Sequence, residues 1–492
     1  MNEAHDLEVL LQAGAPVVIV ETHEEKRVVD LFRRIAIRLE LPLHQWTITE
    51  GLARADIDFP ADALSKDPET AVRLLREHKG AGIYLFLDFH PYIQDPVILR
   101  TVREIAQSSG GASKSIVFVS HRFNVPTELK RYVSHFDLPL PSREALKKLV
   151  SDEARKWAAS NPGKRVKADQ RSLDALVSNI AGLSLDDARR LVRNAIYDDG
   201  VLSYSDIPEV MEAKYRLLNT DSVLAYEYDT TRFSEVGGLA RLKDWLAKRE
   251  RAFRADVPPD GLTRPKGVLL LGVQGCGKSL AARAVAGTWG TPLLGLDIGA
   301  LYNKYIGETE KNIRQALKMA NTMAPCVLWI DEIEKGLGHG DSDNGTSKRI
   351  LGTLLTWMAE DNDGVFIVAT ANDVTSLPPE LLRKGRLDEI FFVDLPDPAT
   401  RKIIFDVHLQ RRNLDSNTFN LDRLAQASDG FSGSEIEQAV VSAFYAAQEH
   451  GARPDDEYIV NELKSTRPLS VVMAEDIAEL RQWASSRTVP AN

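Results

Sequence analysis

The residue types best suited to chemistry form a glycine-rich stretch in the second half of the chain. Residues 272–279 fit the pattern GxxxxGK[ST], with an apolar run before them and a helical pattern after them. Glycines let such a loop curl, so that successive backbone N–H groups and the start of the helix face phosphate oxygens. Lys278 can then reach the β- and γ-phosphates, and the Ser279 hydroxyl can bind magnesium. The stretch predicts a site for nucleotide phosphates, and a plain glycine-rich turn is the alternative.

Two adjacent acidic residues give the second chemical signal. Residues 326–330 are apolar, and Asp331 and Glu332 follow them directly. A buried parallel strand would deliver both carboxylates at its C-terminal end, where Asp331 can orient the magnesium shell and Glu332 can polarise an attacking water. Many strands end in Asp for turn reasons alone. The spacing from Lys278, with one strand and one long helix between, favours the catalytic interpretation.

Alternating strands and helices must position these groups. Two helical stretches each carry one apolar stripe, and the pattern after Pro398 is helical to the end of the sequence. Short continuous apolar strands between amphipathic helices indicate a parallel sheet covered on both faces. The strands are predicted at residues 267–271, 292–298, 326–330 and 365–370, and the two helices at 308–323 and 346–360.

The first half of the chain repeats the same plan. Its strands are predicted at 17–20, 83–88 and 116–120, followed by a wholly helical stretch at 142–216. A segment rich in Asp, Leu and Pro lies after each predicted sheet, at 137–141 and at 394–398, and a second matching pair follows at 182–186 and 430–434. Matching segments in the same order beside matching strand patterns predict that the two halves are copies of one α/β plan.

Composition excludes several classes of protein. The chain has 492 residues, 43% hydrophobic and 27% charged, which predicts several globular domains. Its formal net charge of −10 gives no support to broad binding of nucleic acid or anionic membrane. Two cysteines, Cys276 and Cys326, rule out a disulfide framework. Neither a signal peptide nor a transmembrane segment is evident, so we expect a cytoplasmic protein.

From Phe233 to about Arg487 the chain resembles the AAA clade of the AAA+ ATPases. The loop reads Gly-Val-Gln-Gly at residues 272–275 instead of the clade's usual Gly-Pro-Pro-Gly, as in the uncharacterised AAA proteins encoded in plastid and cyanobacterial genomes. The resemblance implies ATP as substrate and Mg²⁺ as cofactor, the latter held through Ser279 and Asp331. It implies ATP contacts by Val236, Gly237, Gly238, Gly272, Val273, Gln274, Gly275, Cys276, Gly277, Lys278, Ser279, Leu280 and Asp331.

Three further residues acquire catalytic roles from this resemblance. Asn372 corresponds to the polar sensor that contacts the γ-phosphate or the attacking water, whereas a strand-end Asn is otherwise a turn residue. Arg383 and Arg386 resemble the clade's twin arginine fingers, which enter the nucleotide site of the neighbouring subunit. Arginine suits this task because its rigid fork of donors stays charged. A homo-oligomer, as a hexameric ring, is implied, and two solvated surface arginines are the alternative.

The segment around Tyr305 and Ile306 resembles the clade's first pore loop, where an aromatic side chain grips an extended polypeptide. The alternative is that Tyr305 caps a local hydrophobic cluster. Cys276 stands where the clade mostly has a hydroxyl residue, and a thiol at a helix N-terminus tends toward a lowered pKa. A low pKa at Cys276 leads to the hypothesis that oxidation of this thiol stops hydrolysis, whereas ATP binding through its backbone N–H is expected to be retained.

The first half of the chain lacks the residues that are predicted to bind and hydrolyse ATP in the second half. No glycine follows its first strand, and although Asp88 corresponds to Asp331, Phe89 replaces the catalytic glutamate. We predict a degenerate AAA-like α/β domain that cannot hydrolyse ATP, and an unrelated α/β adaptor domain is the alternative. The expected domains are a degenerate AAA-like domain (1–141), a helical lid-like subdomain (142–216), a linker (217–232), a P-loop AAA+ α/β subdomain with a parallel sheet (233–395) and a helical lid (396–492).

These features predict an ATP-hydrolysing oligomeric motor that remodels or threads a protein substrate through a central pore. A nucleotide-switched regulatory scaffold without translocation is the alternative of a different class. Remodelling of nucleic acid is disfavoured, because the sequence has no basic stripe or recognition motif.

Overall fold

The computed structural model describes residues 3–56, 63–108, 114–218, 223–228, 233, 236–255, 258–299, 306–337, 346–360, 364–383 and 385–492. The chain divides into two compact units. The first comprises Met1–Ser160 and Ala181–Arg193, and the second comprises Asn161–Ile180 and Asn194–Asn492. Among the described residues, no helix combines the length and the apolar character needed to cross a bilayer.

The first unit is built on a mixed sheet. Its strands are β1 (Val17–Glu21), β2 (Leu43–Thr47), β3 (Gly51–Arg54), β4 (Gly82–Leu87), β5 (Lys114–Ser120) and β6 (Val133–His135). They lie in the order β3-β2-β4-β5-β1-β6, and every neighbouring pair is parallel except β2 and β3. Its helices are α1 (Glu3–Gln12), α2 (Glu25–Leu39), α3 (Pro68–Glu77), α4 (Pro96–Ser108) and α5 (Arg143–Ser160).

The middle of the chain is mainly helical, as its sequence predicts. It contains α6 (Gln170–Ile180), α7 (Leu185–Tyr197) and α8 (Ile207–Leu218). Two-residue strands, β7 (Lys167–Ala168) and β8 (Val201–Leu202), pair in parallel within it, so the expectation of a wholly helical stretch is wrong there. Strands this short leave no periodic signal in a sequence.

The second unit carries the larger sheet. Its strands are β9 (Leu224–Glu227), β10 (Gly267–Gly272), β11 (Leu293–Leu296), β12 (Cys326–Ile330), β13 (Val365–Ala371), β14 (Glu389–Val393) and β15 (Val489–Pro490). They lie in the order β15-β14-β10-β13-β12-β11-β9, with only the β9–β11 pair antiparallel among these. Helices α9 (Ala240–Arg254), α10 (Lys278–Trp289), α11 (Ile306–Met323), α12 (Ile333–Leu337) and α13 (Thr346–Glu360) accompany this sheet.

The core of the second unit lies on both faces of its sheet. Along β10, Leu269 and Leu271 join the cluster that contains Ile313 of α11, whereas Val268 and Leu270 join the opposite cluster with α9 and α10. All six residues of β10 are buried. A strand buried on both faces is continuously apolar, which is why the sequence predicts this sheet so clearly.

The two sheets share one strand order. Read from β6, the first sheet runs β6-β1-β5-β4-β2 and ends in the antiparallel strand β3. Read from β14, the second runs β14-β10-β13-β12-β11 and ends in the antiparallel strand β9. The predicted α/β class with two related sheets is confirmed, although the edge strand follows β2 in the first unit and precedes β10 in the second.

A helical lid follows β14. Its helices are α14 (Pro398–Gln410), α15 (Leu421–Ala427), α16 (Gly433–Glu449), α17 (Asp456–Ser465), α18 (Leu469–Val472) and α19 (Ala474–Ala484). Asp397 caps α14 by accepting from the Thr400 backbone N–H at 2.7 Å, and Ser432 caps α16 in a capping box with Glu435. The buried Arg401 donates to the Ala425 and Pro396 carbonyls, both at 3.0 Å. These bonds fix α14 against the next helix.

The chain is not helical throughout its C-terminal part, so that expectation is wrong at its end. Phe391 and Phe392 pair in parallel with Val489 and Pro490, and the Ala491 N–H donates to the Phe392 carbonyl at 2.9 Å. Likewise, the predicted linker at 217–232 contains β9, which covers the far edge of the sheet. Both strands depend on a partner distant in sequence, and a local pattern does not reveal such a partner.

Candidate nucleotide-binding site

The glycine-rich loop curls between β10 and α10. Gly275 and Gly277 have φ angles of 75° and 89°, in the left-handed region that glycine adopts without strain. At Gly275 a Cβ atom would lie 2.2 Å from the Ser434 Oγ atom, and the Ser434 N–H donates to the Gly275 carbonyl at 3.1 Å. The loop therefore contacts the start of α16, and only glycine fits at that contact.

Lys278 is held inside this loop. Its Nζ atom donates to the carbonyls of Gly272 at 2.7 Å and Val273 at 2.8 Å, and the side chain is buried. Burial lowers the pKa of Lys278 to about 8. A nearby anion favours the charged form of a lysine. Phosphate groups bound in this loop would therefore raise the pKa of Lys278.

The carboxylate of Asp331 accepts hydrogen bonds from hydroxyl groups of two other segments. The Ser279 hydroxyl donates to its Oδ1 atom at 3.2 Å, and the Thr370 hydroxyl donates to the same oxygen. The Thr370 Oγ1 atom in turn accepts from the Glu332 N–H at 3.0 Å. Oxygen atoms of Ser279, Asp331 and Thr370 therefore lie together at one edge of the sheet. Each of these residues lies after a parallel strand or near its end. Hydroxyl and carboxylate oxygens are the ligands that Mg²⁺ prefers, so this donor set fits that ion.

Glu332 is held by both of its carboxylate oxygens. Asn372 Nδ2 donates to Oε1 at 3.0 Å, and Lys335 Nζ lies 2.5 Å from Oε2. Glu332 has a φ of 47°, a conformation rare for a residue with a side chain and common at functional sites. The backbone N–H of Asn372 donates to Glu334 Oε1 at 2.9 Å, which ties the loops after β12 and β13 together.

Glu334 and Lys335 are site residues that the sequence reasoning missed. Glu334 is buried, burial raises its pKa, and its Oε2 atom has no partner among the described residues. Both residues lie on α12, directly after the acidic pair. An acidic residue two positions beyond Glu332 was the available signal, but its burial depends on the packing of α12.

Lys278, Ser279, Asp331, Glu332, Thr370 and Asn372 line one cavity of about 420 Å³, whereas Glu334 and Lys335 do not line it. Val236, Gly237 and Leu239 form one part of its wall, whereas Gly238 lies against Thr400 and Asn492. The lid completes the wall, so the pocket lies where sheet edge and lid meet. Its other lining residues include 274–280, Asp331, Glu332, Thr370, Asn372, Ile404, His408, Gly433 and Ser434. Gly272 and Val273 contribute through their carbonyl bonds to Lys278.

The two predicted arginine fingers do not form part of this cavity wall. Arg383 is exposed, and Arg386 is half-buried, with its Nη1 atom donating to the Glu380 carbonyl. Neither arginine lines the cavity. Tyr305 lies outside the described residues, and Ile306 is described only as the first residue of α11. The cavity of one chain thus contains the predicted phosphate, metal and water-activating groups without the two arginines.

The expected low pKa of Cys276 is wrong. Burial raises the pKa of this thiol to about 12. Its Sγ atom lies 3.9 Å from the Gln274 carbonyl. Desolvation of the thiolate outweighs the nearby charge of Lys278, which by itself would lower the pKa. A reactive thiolate at this position is therefore not supported.

Comparisons with known proteins agree with this geometry. Residues 268–395 match the model of the ATPase family associated with various cellular activities (AAA). Residues 3–138 match the N-terminal domain of SpoVK-like AAA ATPases, and residues 144–221 match the second domain of the same proteins.

Similar proteins cover either nearly the whole chain or about half of it. The uncharacterised AAA domain-containing protein ycf46 of Guillardia theta is 35% identical over 99% of this chain and 96% of its own length. Its counterpart in Pyropia yezoensis is 33% identical over 98% of each chain. A proteasome-activating nucleotidase of Saccharolobus islandicus is 35% identical over 46% of this chain and 59% of its own. The predicted resemblance is confirmed, and the chain belongs to the AAA family of ATPases.

Proposed function

We propose that this ATPase is a ring-forming motor that uses Mg²⁺-ATP to remodel a protein substrate. The observation that carries the proposal is the oxygen network in which Ser279 and Thr370 both donate to one oxygen of Asp331, beside a Glu332 restrained by Asn372. Metal-binding and water-activating groups are thereby adjacent at one end of the sheet. This is the arrangement that in-line phosphoryl transfer to water requires.

Each residue has a separate part in the proposed hydrolysis. Loop N–H groups and Lys278 bind the phosphates, while Ser279 and Asp331 would hold the magnesium ion. Bound Mg²⁺ would neutralise charge on the β- and γ-phosphates. Glu332 accepts a proton from the attacking water as the bond from γ-phosphorus to the ADP oxygen breaks. Asn372 restrains Glu332, and its amide can also contact the water or γ-phosphate.

We assign Arg383 and Arg386 to the nucleotide site of a neighbouring copy. This assignment is supported by their position, because neither lines the cavity of its own chain and Arg383 is exposed. An arginine that reaches the γ-phosphate from another subunit typically accelerates hydrolysis by about 10³–10⁵. Hydrolysis would then require assembly, and a hexameric ring, as in related AAA proteins, is the form we propose.

Replacing Glu332 with Gln tests the proposed base. We expect E332Q to bind ATP and to lower the rate of phosphate release by about 10²–10⁴, because the amide cannot accept the proton from water. Rings should accumulate in the ATP state, which light scattering would detect. E360Q, at an exposed glutamate on α13, is the matched control and should retain wild-type turnover. Unchanged turnover in E332Q would remove Glu332 as the base.

The lowered pKa of Lys278 predicts proton uptake when ATP binds. At pH 8 the free protein carries about half a proton on Lys278, and the phosphates restore the full charge. Binding should therefore take up about half a proton at pH 8, more at pH 9 and almost none at pH 6.5, with affinity falling as pH rises above 8. Calorimetry of a non-hydrolysable ATP analogue in buffers of different ionisation enthalpy measures this uptake.

The control for proton uptake is Lys278→Arg, because arginine stays charged across this range. His408 also lines the cavity, but burial lowers its pKa, so it is neutral at pH 8 and above. Uptake at pH 8 and 9 should vanish in K278R while weaker binding persists. Absence of uptake in the wild type would mean that Lys278 is already charged in the free site.

A motor that threads its substrate requires Tyr305, the proposed pore residue, whereas a nucleotide-switched scaffold does not. We expect Tyr305→Ala to abolish ATP-dependent unfolding of a green fluorescent protein bearing an unstructured tail, with ATP turnover intact. Y445A, at a tyrosine 71% exposed on α16, should retain both activities. Unfolding by Y305A at the wild-type rate, or none by the wild type, would contradict threading and favour the nucleotide-switched scaffold.

A further inference from the structure

The first unit carries a cluster of chemistry-bearing side chains at the C-terminal edge of its sheet. His23 follows β1, Asp88 and His90 follow β4, and His121 follows β5. Strands β4, β5 and β1 are consecutive in the sheet, so the loops that leave them meet. In the second unit the corresponding strands β12, β13 and β10 carry the nucleotide site.

The side chains of this cluster converge. One ligand atom each from Asp88, His90 and His121 lies within 4.8 Å of the others. The rings of His90 and His121 are perpendicular, with centroids 4.9 Å apart. Metal–ligand bonds of about 2.1 Å in tetrahedral geometry place ligand atoms about 3.4 Å apart, so small side-chain rotations would bring these atoms into coordination.

His90 adds a second, independent observation. Its side chain is half-buried, and its Nδ1 atom is buried without a hydrogen-bond partner among the described residues. A buried polar atom left unpaired costs about 1–3 kcal/mol, so such an atom in a native protein calls for a ligand or another explanation. An imidazole nitrogen is a common ligand of metal ions, so a bound metal would give this atom a partner.

Neighbouring groups support a cation at this position. The ring of His23 stacks on that of His121 at 5.8 Å between centroids, which restricts the orientation of the His121 imidazole. The carboxylate of Glu25, in the first turn of α2, interacts electrostatically with Asp88, and the adjacent Lys26 offsets part of this negative charge. Negative charge beside two imidazoles favours a divalent ion over an anion such as phosphate.

We propose that the first unit binds one divalent transition-metal ion through Asp88, His90 and His121. Imidazole and carboxylate ligands suit Zn²⁺ best among common ions, whereas Mg²⁺ and Ca²⁺ prefer oxygen ligands throughout. Three protein ligands leave a coordination position for water or a further ligand. The proposed metal site lies at the C-terminal edge of the first sheet. This edge corresponds to the edge of the second sheet that carries the nucleotide site.

Zinc stoichiometry of the whole chain tests this site. The protein is stripped with a chelator, saturated with Mg²⁺ and a non-hydrolysable ATP analogue to occupy the second unit, exposed to micromolar Zn²⁺ and desalted. Elemental analysis should find one Zn²⁺ per wild-type chain. In H121A and D88N this zinc should be lost, or its affinity reduced at least about 10-fold. Co²⁺ in place of Zn²⁺ should give the intense d–d absorption of four-coordinate Co²⁺ in the wild type, but not in H121A or D88N.

H135A is the matched control, because His135 is exposed on β6 in the same unit. It should retain the zinc, and Zn²⁺ should raise the melting temperature of the wild type and H135A but not of H121A. Asp88 and His121 are both exposed, so their variants should keep the wild-type circular dichroism spectrum. Equal zinc content in wild type, D88N and H121A, or no zinc in a folded wild type, would overturn the proposal.

Discussion

The site depends on the hydrogen-bonded pairing of β10, β13 and β12. Leu271 is in register with Ala371, and Ile330 with Ala369, so the loops after these strands begin side by side. This pairing places one carboxylate oxygen of Asp331 where it accepts hydrogen bonds from the hydroxyl groups of both Ser279 and Thr370. A shift of one residue in either pair would turn alternate side chains to the opposite face and separate these groups. The lid adds the remaining wall, since Ser434 donates to the Gly275 carbonyl.

Much of this arrangement could be predicted from the sequence because its signals are local. The loop at 272–279 and the apolar run before Asp331 each carry their pattern within ten residues. The fully buried β10 and the largely buried β12 both leave clear apolar runs in the sequence. The two arginines were predicted only by resemblance. The exposure of Arg383 says nothing by itself about its chemistry.

What the sequence did not reveal depends on packing between distant segments. The pKa of Cys276 follows from burial, and no local pattern reports how deeply a loop thiol is covered. Glu334 becomes a partner of Asn372 only when the loops after β12 and β13 meet. Likewise, β15 exists only because Val489 lies beside Phe391. In the first unit, His90 and His121 are separated by a helix and a strand, so their convergence required the sheet order.

We propose that turnover occurs between two copies, because neither Arg383 nor Arg386 lines the cavity of its own chain. Mixing two inactive variants tests it most directly: E332Q, which keeps the arginines, and R383A/R386A, which keeps Glu332. Each alone should hydrolyse ATP at a small fraction of the wild-type rate. A 1:1 mixture should recover activity at about a quarter of its interfaces, where random assembly pairs an intact Glu332 with intact arginines. Wild-type turnover by R383A/R386A alone, or no recovery on mixing, would contradict the account.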